Sequence, residues 1–334
     1  MPERIKTLQN WLQTELNIPE PQLVAITNDA SFRRYFRVVV NGVEHIVMDA
    51  PPDKEDCQPF VNISQCLATS GLNVPKILAS DLTQGFLLLT DLGSELYLPN
   101  LTKEQADYLY KDALKALVTM QVKTSSNNLP TYNYNLLCNE MNLFTDWLVK
   151  QHLNLSLSET QQVELATCFE ILIESALSQP QVFVHRDYHS RNLMIVPKNN
   201  PGIIDFQDAV IGPITYDLVS LLRDCYISWP QKQLHGWLEY YYILIYQNNM
   251  LKSINKDNFL RWFDLMGIQR HLKASGIFAR LYHRDGKSGY LKDIPRTLNY
   301  IVEVSAKYPE LKYLHKLVSE QVLPKFLSFK PDLK

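Results

Sequence analysis

The sequence contains no apolar run approaching the ~18 residues that a membrane-spanning helix needs. It also has almost no net charge: 33 Lys and Arg stand against 35 Asp and Glu, leaving −2 at pH 7. That balance excludes a bulk electrostatic case for nucleic acid or for an anionic bilayer. The five cysteines, at positions 57, 66, 138, 168 and 225, include no Cys-x-x-Cys pair. An odd, scattered set of this kind predicts reduced core thiols in a cytoplasmic protein, not a disulfide framework. Walker A, Rossmann and Gly-x-Ser-x-Gly signatures are missing, as are internal repeats and low-complexity tracts. The opening residues, MPERIKTLQNWLQTEL, carry charges throughout and read as an amphipathic helix, not a signal peptide. A chain of 334 residues suits one large or two modest domains with ample core.

What is present centres on Val182–Gln207, VFVHRDYHSRNLMIVPKNNPGIIDFQ. His185-Arg186-Asp187 is followed after four residues by Asn192, and Asp205-Phe206 closes the apolar run Gly202-Ile203-Ile204. Phosphoryl transfer needs three oxygen-bearing side chains in this order. One carboxylate accepts the proton of the attacking hydroxyl, while an amide oxygen and a second carboxylate hold Mg²⁺ against the nucleotide phosphates. Asp187, Asn192 and Asp205 fit those roles, between apolar runs of strand length at 182–184, 193–196 and 203–204. His185 and His189 are four apart, as on a zinc-binding helix, but they sit in a predicted loop with no glutamate base beside them.

This segment resembles the catalytic stretch of protein-kinase-like phosphotransferases, and specifically the aminoglycoside-phosphotransferase branch. His189, two residues after Asp187, is typical of that branch, and Asp205-Phe206-Gln207 lacks the glycine of the kinase Asp-Phe-Gly. Nearly the whole chain is similar to the bacterial anomeric kinases of cell-wall amino sugars. The likeness rests on DASFRRYFR at 29–37, MDAPP at 48–52, LLLTDLG at 87–93, the catalytic segment, IFARL at 277–281 and RDGK at 284–287. It implies an α+β, protein-kinase-like two-lobed fold. Residues 1–91 would form a small β-rich N-lobe that binds nucleotide, and residues 92–334 a larger, mainly helical C-lobe with the acceptor site. It further implies ATP and Mg²⁺ as cofactors. Leu89 and Asp91 would lie where backbone groups face the adenine. Asp217 would brace the catalytic loop, with His185 in a supporting role.

In the N-lobe, residues 4–17 predict a helix and Leu23–Thr27 a strand. Asn28–Ser31 predicts a turn, the place where kinases carry a glycine-rich loop over the phosphates. Ser31 is therefore a candidate phosphate contact, although the turn holds no glycine. Phe32–Val40 and Val43–Asp49 read as strands joined by Asn41-Gly42, a type I′ hairpin signal. The lysine that contacts phosphates across the wider superfamily should fall near Met48, and the glutamate that pairs with it on the helix at 59–69. Neither is present. Arg33 or Arg34 is the expected replacement, and strand alternation allows only one of them to reach the site. Further strands are predicted at Val74–Ala79 and Phe86–Thr90, the latter a buried run.

In the C-lobe, capping boxes at Thr102–Gln105 and Ser158–Gln161 predict helices to about Val122 and Leu177. Asn139–His152 reads as a helix with an apolar stripe of Met141, Phe144, Trp147 and Leu148; Glu140 and Asp146 lie off the stripe, as candidate contacts to substrate. Pro213 predicts the first turn of a helix. Gln269–Tyr290 collects Arg270, His271, Lys273, Arg280, His283, Arg284 and Lys287. It reads either as a solvated helix face with a turn at Asp285-Gly286 or as a basic wall of the acceptor pocket, in which Arg280 and Arg284 join His189 and Glu140 as substrate contacts.

The expectation is an ATP- and Mg²⁺-dependent kinase of a sugar hydroxyl, with a small-molecule sugar as partner and no nucleic acid, membrane or obligate protein partner. Kinases of choline, methylthioribose or an aminoglycoside are the alternatives, though a basic wall disfavours a cationic acceptor. A regulatory pseudokinase is suggested by the missing lysine–glutamate pair, and opposed by the presence of Asp187, Asn192 and Asp205 together.

Overall fold

The computed structural model describes residues 2–26, 32–250 and 255–328. The predicted turn at 28–31, and Ser31 with it, lies outside them. The chain divides into two compact units: Met1–Thr102 with Arg191–Asp208, and Lys103–Ser190 with Ala209–Lys334. No helix among the described residues is long and apolar enough to cross a membrane.

The first unit is built on an antiparallel sheet of β1 (Val24–Ile26), β2 (Arg34–Val40), β3 (Val43–Asp49), β4 (Ile77–Asp81) and β5 (Phe86–Thr90), in the order β1-β2-β3-β5-β4. Asn41 and Gly42 take φ of 52° and 78°, the two left-handed positions of a type I′ turn. That turn fixes the β2–β3 register from Val40 opposite Val43 to Arg34 opposite Asp49. Phe36, Val38, Val47, Phe86 and Leu88 pack with Leu8, Trp11 and Leu12 of the N-terminal helix Pro2–Thr14. Alternation sends Met48, Leu87 and Leu89 to the opposite face, and these are buried too. Both faces of the central strands are therefore covered, which is why β5 reads as a continuous apolar run. The sequence placed β4 at 74–79; the structure moves it to Ile77–Asp81.

A short hairpin, β7 (Leu193–Met194) and β8 (Gly202–Ile203), completes this unit after β6 (Gln181–Val184) has left the other. Bridges from Asn73 to Gly202 and from Leu96 to Met194 tie the hairpin down. Asn200 adds a hydrogen bond to the Tyr97 hydroxyl at 2.7 Å.

The second unit is mainly helical. Its one described sheet pairs β6 with β9 (Val210–Pro213). Pro213 thus ends a strand instead of opening a helix; the next helix is Tyr216–Leu222. The helix expected from Thr102 begins at Ala106 and runs to Lys123, with turns over the intervening residues. At Ser158 the capping box forms, with Gln161 N donating to Ser158 Oγ at 3.3 Å and Ser158 N to Gln161 Oε1 at 2.9 Å.

The organising element is the helix Lys256–Asp285, which packs against Tyr134–Leu143, Glu159–Leu177, Tyr216–Leu222 and Ile294–Ser305. It buries Gln269, Arg270's neighbours Ile268 and His271, and Ser275. The helix predicted at 139–152 is observed as Tyr134–Leu143 continuing into wider π-helical turns over Phe144–His152. Gly276 of the long helix lies against that junction. A Cβ at Gly276 would stand 2.2 Å from the Leu143 carbonyl carbon, so only glycine allows the two backbones to approach this closely. Periodicity in the segment itself carries no trace of this constraint.

Candidate active site

The second unit holds Asp187 on the loop leaving β6. The carboxylate of Asp217, at the head of Tyr216–Leu222, accepts the His185 amide at 2.6 Å and the Arg186 amide at 3.0 Å. Arg186 takes φ of 78°, a left-handed value that costs a non-glycine residue energy unless its surroundings impose it. Arg270 helps to impose it: Nη1 donates to the Arg186 carbonyl at 2.8 Å and Nη2 to Ser220 Oγ at 2.7 Å, with the guanidinium 4.3 Å from the Tyr216 ring centroid. Beyond Asp187, Tyr188 donates to the Ala113 carbonyl at 2.8 Å and the Ser190 amide to Asp224 at 3.0 Å. The loop is therefore held at both ends by buried acids, and turned between them by a half-buried cation.

Glu140, read from sequence as a substrate contact, is instead spent within the protein. It is buried, and its Oε1 takes Arg186 Nη2 at 2.5 Å and Lys273 Nζ at 2.9 Å, while Oε2 accepts the Tyr132 hydroxyl. Burial would raise its pKa, but Lys273 and Arg186 outweigh that and hold it below the usual carboxylate range. Lys273 also donates to the Tyr216 hydroxyl at 2.9 Å. Asp146 lies on the surface in an ion pair with Lys150 at 3.0 Å. The His189 ring meets Tyr226 edge-on at 5.4 Å. Arg284 is exposed and bound to Asp285 by two hydrogen bonds, of 2.8 and 3.0 Å. Arg280 is half-buried.

The same cations act on Asp187. Burial alone would raise its carboxyl, yet the charges of Lys273, His189, Arg270 and His185 override it and hold the group down to about 2. Asp187 is thus an ionised acceptor at neutral pH. Lys273 is the largest of these opposing influences. Sequence reading placed it in a basic segment without a role at the base; helical spacing from Arg270 was the one signal available.

The first unit holds the remaining residues of the motif. Asn192 and Asp205 flank the β7–β8 hairpin, with the Ile204 amide donating to the Asn192 carbonyl at 3.1 Å. Asn192 Nδ2 donates to Asp205 Oδ2 at 3.3 Å, and Gln207 Nε2 to Asp205 Oδ1 at 3.0 Å. Gln207, where kinases have glycine, therefore orients the carboxylate. Asp205 has φ of 65°, and Phe206 packs on Phe60 at 4.8 Å. The Asp205 carboxylate and the side-chain oxygen of the neighbouring Asn192 amide are hard oxygen donors of the kind Mg²⁺ takes alongside water and phosphate.

Arg34 and Arg33 divide as alternation requires. Arg34 lies opposite Asp49 and pairs with it, together with Arg4 of the N-terminal helix. Arg33 is buried and pairs with Glu55 at 2.8 Å. It acts electrostatically on the Tyr35 hydroxyl, whose pKa burial raises and Arg33 lowers; Asp205 and Glu55 act on the same hydroxyl. Arg33, Glu55 and Asp205 thus share one neighbourhood. The acid that pairs with Arg33 is Glu55, which precedes the helix at 59–69, where no helical spacing could reveal it. Leu89 is a buried strand residue, and Asp91 binds Arg37 at 2.5 Å and the Gly93 amide at 2.7 Å.

The model of the phosphotransferase enzyme family matches residues 22–248. The chain belongs to that family. It is 45% identical over 333 residues to an N-acetylmuramate/N-acetylglucosamine kinase of Pseudomonas putida, covering 96% of this chain and 98% of that protein. A protein of the same description from Neisseria meningitidis is 40% identical, covering 96% of this chain and 97% of that one. In structure the chain is similar to an ADP-bound aminoglycoside phosphotransferase, with a TM-score of 0.59 and 16% identity over 90% of this chain and 98% of that one. A choline kinase from Streptococcus pneumoniae gives a TM-score of 0.62 at 11% identity, covering 90% and 99%. The family's fold is the expected protein-kinase-like one, with a small antiparallel sheet unit and a larger, mostly helical unit.

Removing the charge of Lys273 takes away the largest influence opposing burial at Asp187, so its carboxyl titrates at higher pH. Infrared or carbon-NMR titration of ¹³C-labelled aspartate is expected to show the Asp187 signal moving up from about 2 in Lys273→Met, and staying low in Lys273→Arg. An unmoved signal in the methionine variant contradicts the assignment.

Proposed function

We propose that this protein is a kinase that transfers the γ-phosphoryl group of ATP to the anomeric hydroxyl of N-acetylmuramate or N-acetylglucosamine. Near-full-length likeness to kinases of those two sugars, at 40 and 45% identity, carries the reading. Asp187 is the base: its carboxylate accepts the proton of the acceptor hydroxyl as that oxygen bonds to the γ-phosphorus and ADP departs. A carboxylate held near pKa 2 is a weak base. It suits an anomeric hydroxyl, which is more acidic than an ordinary alcohol. Asn192 and Asp205 would hold Mg²⁺, which when bound neutralises phosphate charge. Arg33, oriented by Glu55, supplies the cation that the missing strand lysine supplies elsewhere. Arg34 serves the packing of the N-terminal helix through Asp49. With free cysteines throughout and no spanning helix among the described residues, the reading includes a cytoplasmic location and a free sugar as partner.

The direct experiment is a panel of free sugars with ATP and Mg²⁺, read by ADP release. Turnover is expected with both amino sugars, and Asp187→Asn should lower it by the roughly 10²–10⁴-fold typical of a general base while ATP still binds. Release without any sugar acceptor, or full activity of the variant, contradicts the reading.

The two arginines separate in the same assay. Arg33→Ala is expected to cost about 1.5–3 kcal/mol of interaction with Mg·ATP, the range of a charged hydrogen bond, seen as a raised KM for ATP. Arg34→Ala should leave that KM nearly unchanged and lower the melting temperature instead. The reverse pattern would assign the phosphates to Arg34.

A further inference from the structure

The helix Lys256–Asp285 presents a basic stripe along one face. Residues 270, 273, 280 and 284 fall within about 80° of one another at 100° per residue. Three of these cations are already committed. Arg270 is spent on the Arg186 carbonyl and Ser220, Lys273 on Glu140 and Tyr216, and Arg284 on Asp285. Arg280 differs. Its Nε is buried without a hydrogen-bond partner, and the structure gives its guanidinium no ion pair among the described residues. The nearest acid acting on it is Asp285, whose two oxygens Arg284 already holds. Burial and the like charge of Arg284 both disfavour its charged form. A guanidinium has no neutral state at physiological pH to escape into. Such a cation is stabilised by an anion arriving from outside.

Arg280 lies two helical turns from Lys273, about 10 Å along the axis, on nearly the same face. Lys273 is the residue whose charge acts most strongly against burial at Asp187. A sugar with its anomeric hydroxyl at Asp187 therefore extends toward Arg280 if it lies along this stripe. The two proposed acceptors differ in one respect that matters here. N-acetylmuramate carries a lactyl carboxylate on the ring carbon two along from the anomeric carbon; N-acetylglucosamine has a hydroxyl there.

We infer that Arg280 is the carboxylate-recognition residue of the acceptor site, binding the lactyl group of N-acetylmuramate and setting the preference between the two sugars. This rests on the acceptor class proposed above. A planar guanidinium offers a carboxylate two parallel N–H donors, which a hydroxyl cannot engage in the same way. Arg284, exposed and paired, has no such part.

The test is steady-state kinetics on both sugars at saturating ATP, for wild type, Arg280→Gln, Arg280→Lys and Arg284→Gln. Arg280→Gln is expected to lower the ratio of kcat/KM for N-acetylmuramate over N-acetylglucosamine by about 10- to 100-fold, the worth of a charge-assisted hydrogen bond, mostly through KM for the muramate. Arg280→Lys should restore part of the ratio, as a cation without the planar fork. Arg284→Gln should leave the ratio within about twofold. A ratio unchanged in Arg280→Gln, through equal loss on both sugars or no loss on either, overturns the inference and leaves the kinase reading standing. A wild-type protein that phosphorylates neither sugar overturns the acceptor class and this inference with it.

Discussion

Two acids, Asp187 on its loop and the buried Asp217 that accepts that loop's His185 and Arg186 amides, are the constraint on which the second unit depends. Burying a carboxylate without compensation costs several kcal/mol or forces it to protonate. At Asp217 burial wins, and its carboxyl is pushed up to about 7 although the His185 amide and Arg270 oppose this; at Asp187 the largest compensation comes from the long helix. Arg270 and Lys273 both bear on Asp187, and Arg270 also acts on Asp217. Lys256–Asp285, which carries both cations, is fixed by the close approach of Gly276 to the Leu143 backbone and by the helices packed against it. Glu140 belongs to the same system. It balances Lys273 and Arg186, so that the cations near Asp187 do not themselves go uncompensated.

The first unit solves a comparable problem with fewer parts. Gln207 and Asn192 each donate to one oxygen of Asp205, so amides orient this carboxylate. Arg33 is held by Glu55, and Met48 is a fully buried core residue. Arg33, the residue before β2, lies on the same face as Tyr35 and its partner Met48, because the pleat repeats every two residues.

Much of this was legible in sequence where local chemistry decides. The Asn41-Gly42 hairpin, the Ser158 cap and the β5 apolar run depend on neighbours in the chain, and they form where the residues say. The pairing of Asn192 with Asp205 across a short hairpin is local in the same sense. What was not legible depends on distant partners. Glu55 is a loop residue until Arg33 meets it. Glu140 looked available because a helical stripe says which face is apolar, not that Arg186 and Lys273 occupy the polar one. The π-helical turns after Leu143 begin where the backbone meets Gly276, more than a hundred residues away. Pro213 fits a helix start by propensity, but pairing with Gln181 keeps it in a strand.

The central claim is chemical: a base held ionised by neighbouring cations is matched to an acidic hydroxyl. N-acetylglucosamine offers both an anomeric hydroxyl and an ordinary primary one, so it makes the choice itself. Phosphorus NMR of the product formed from N-acetylglucosamine and ATP decides it. The account predicts a single sugar 1-phosphate resonance, and no product from the 1-O-methyl glycoside. A 6-phosphate would contradict it.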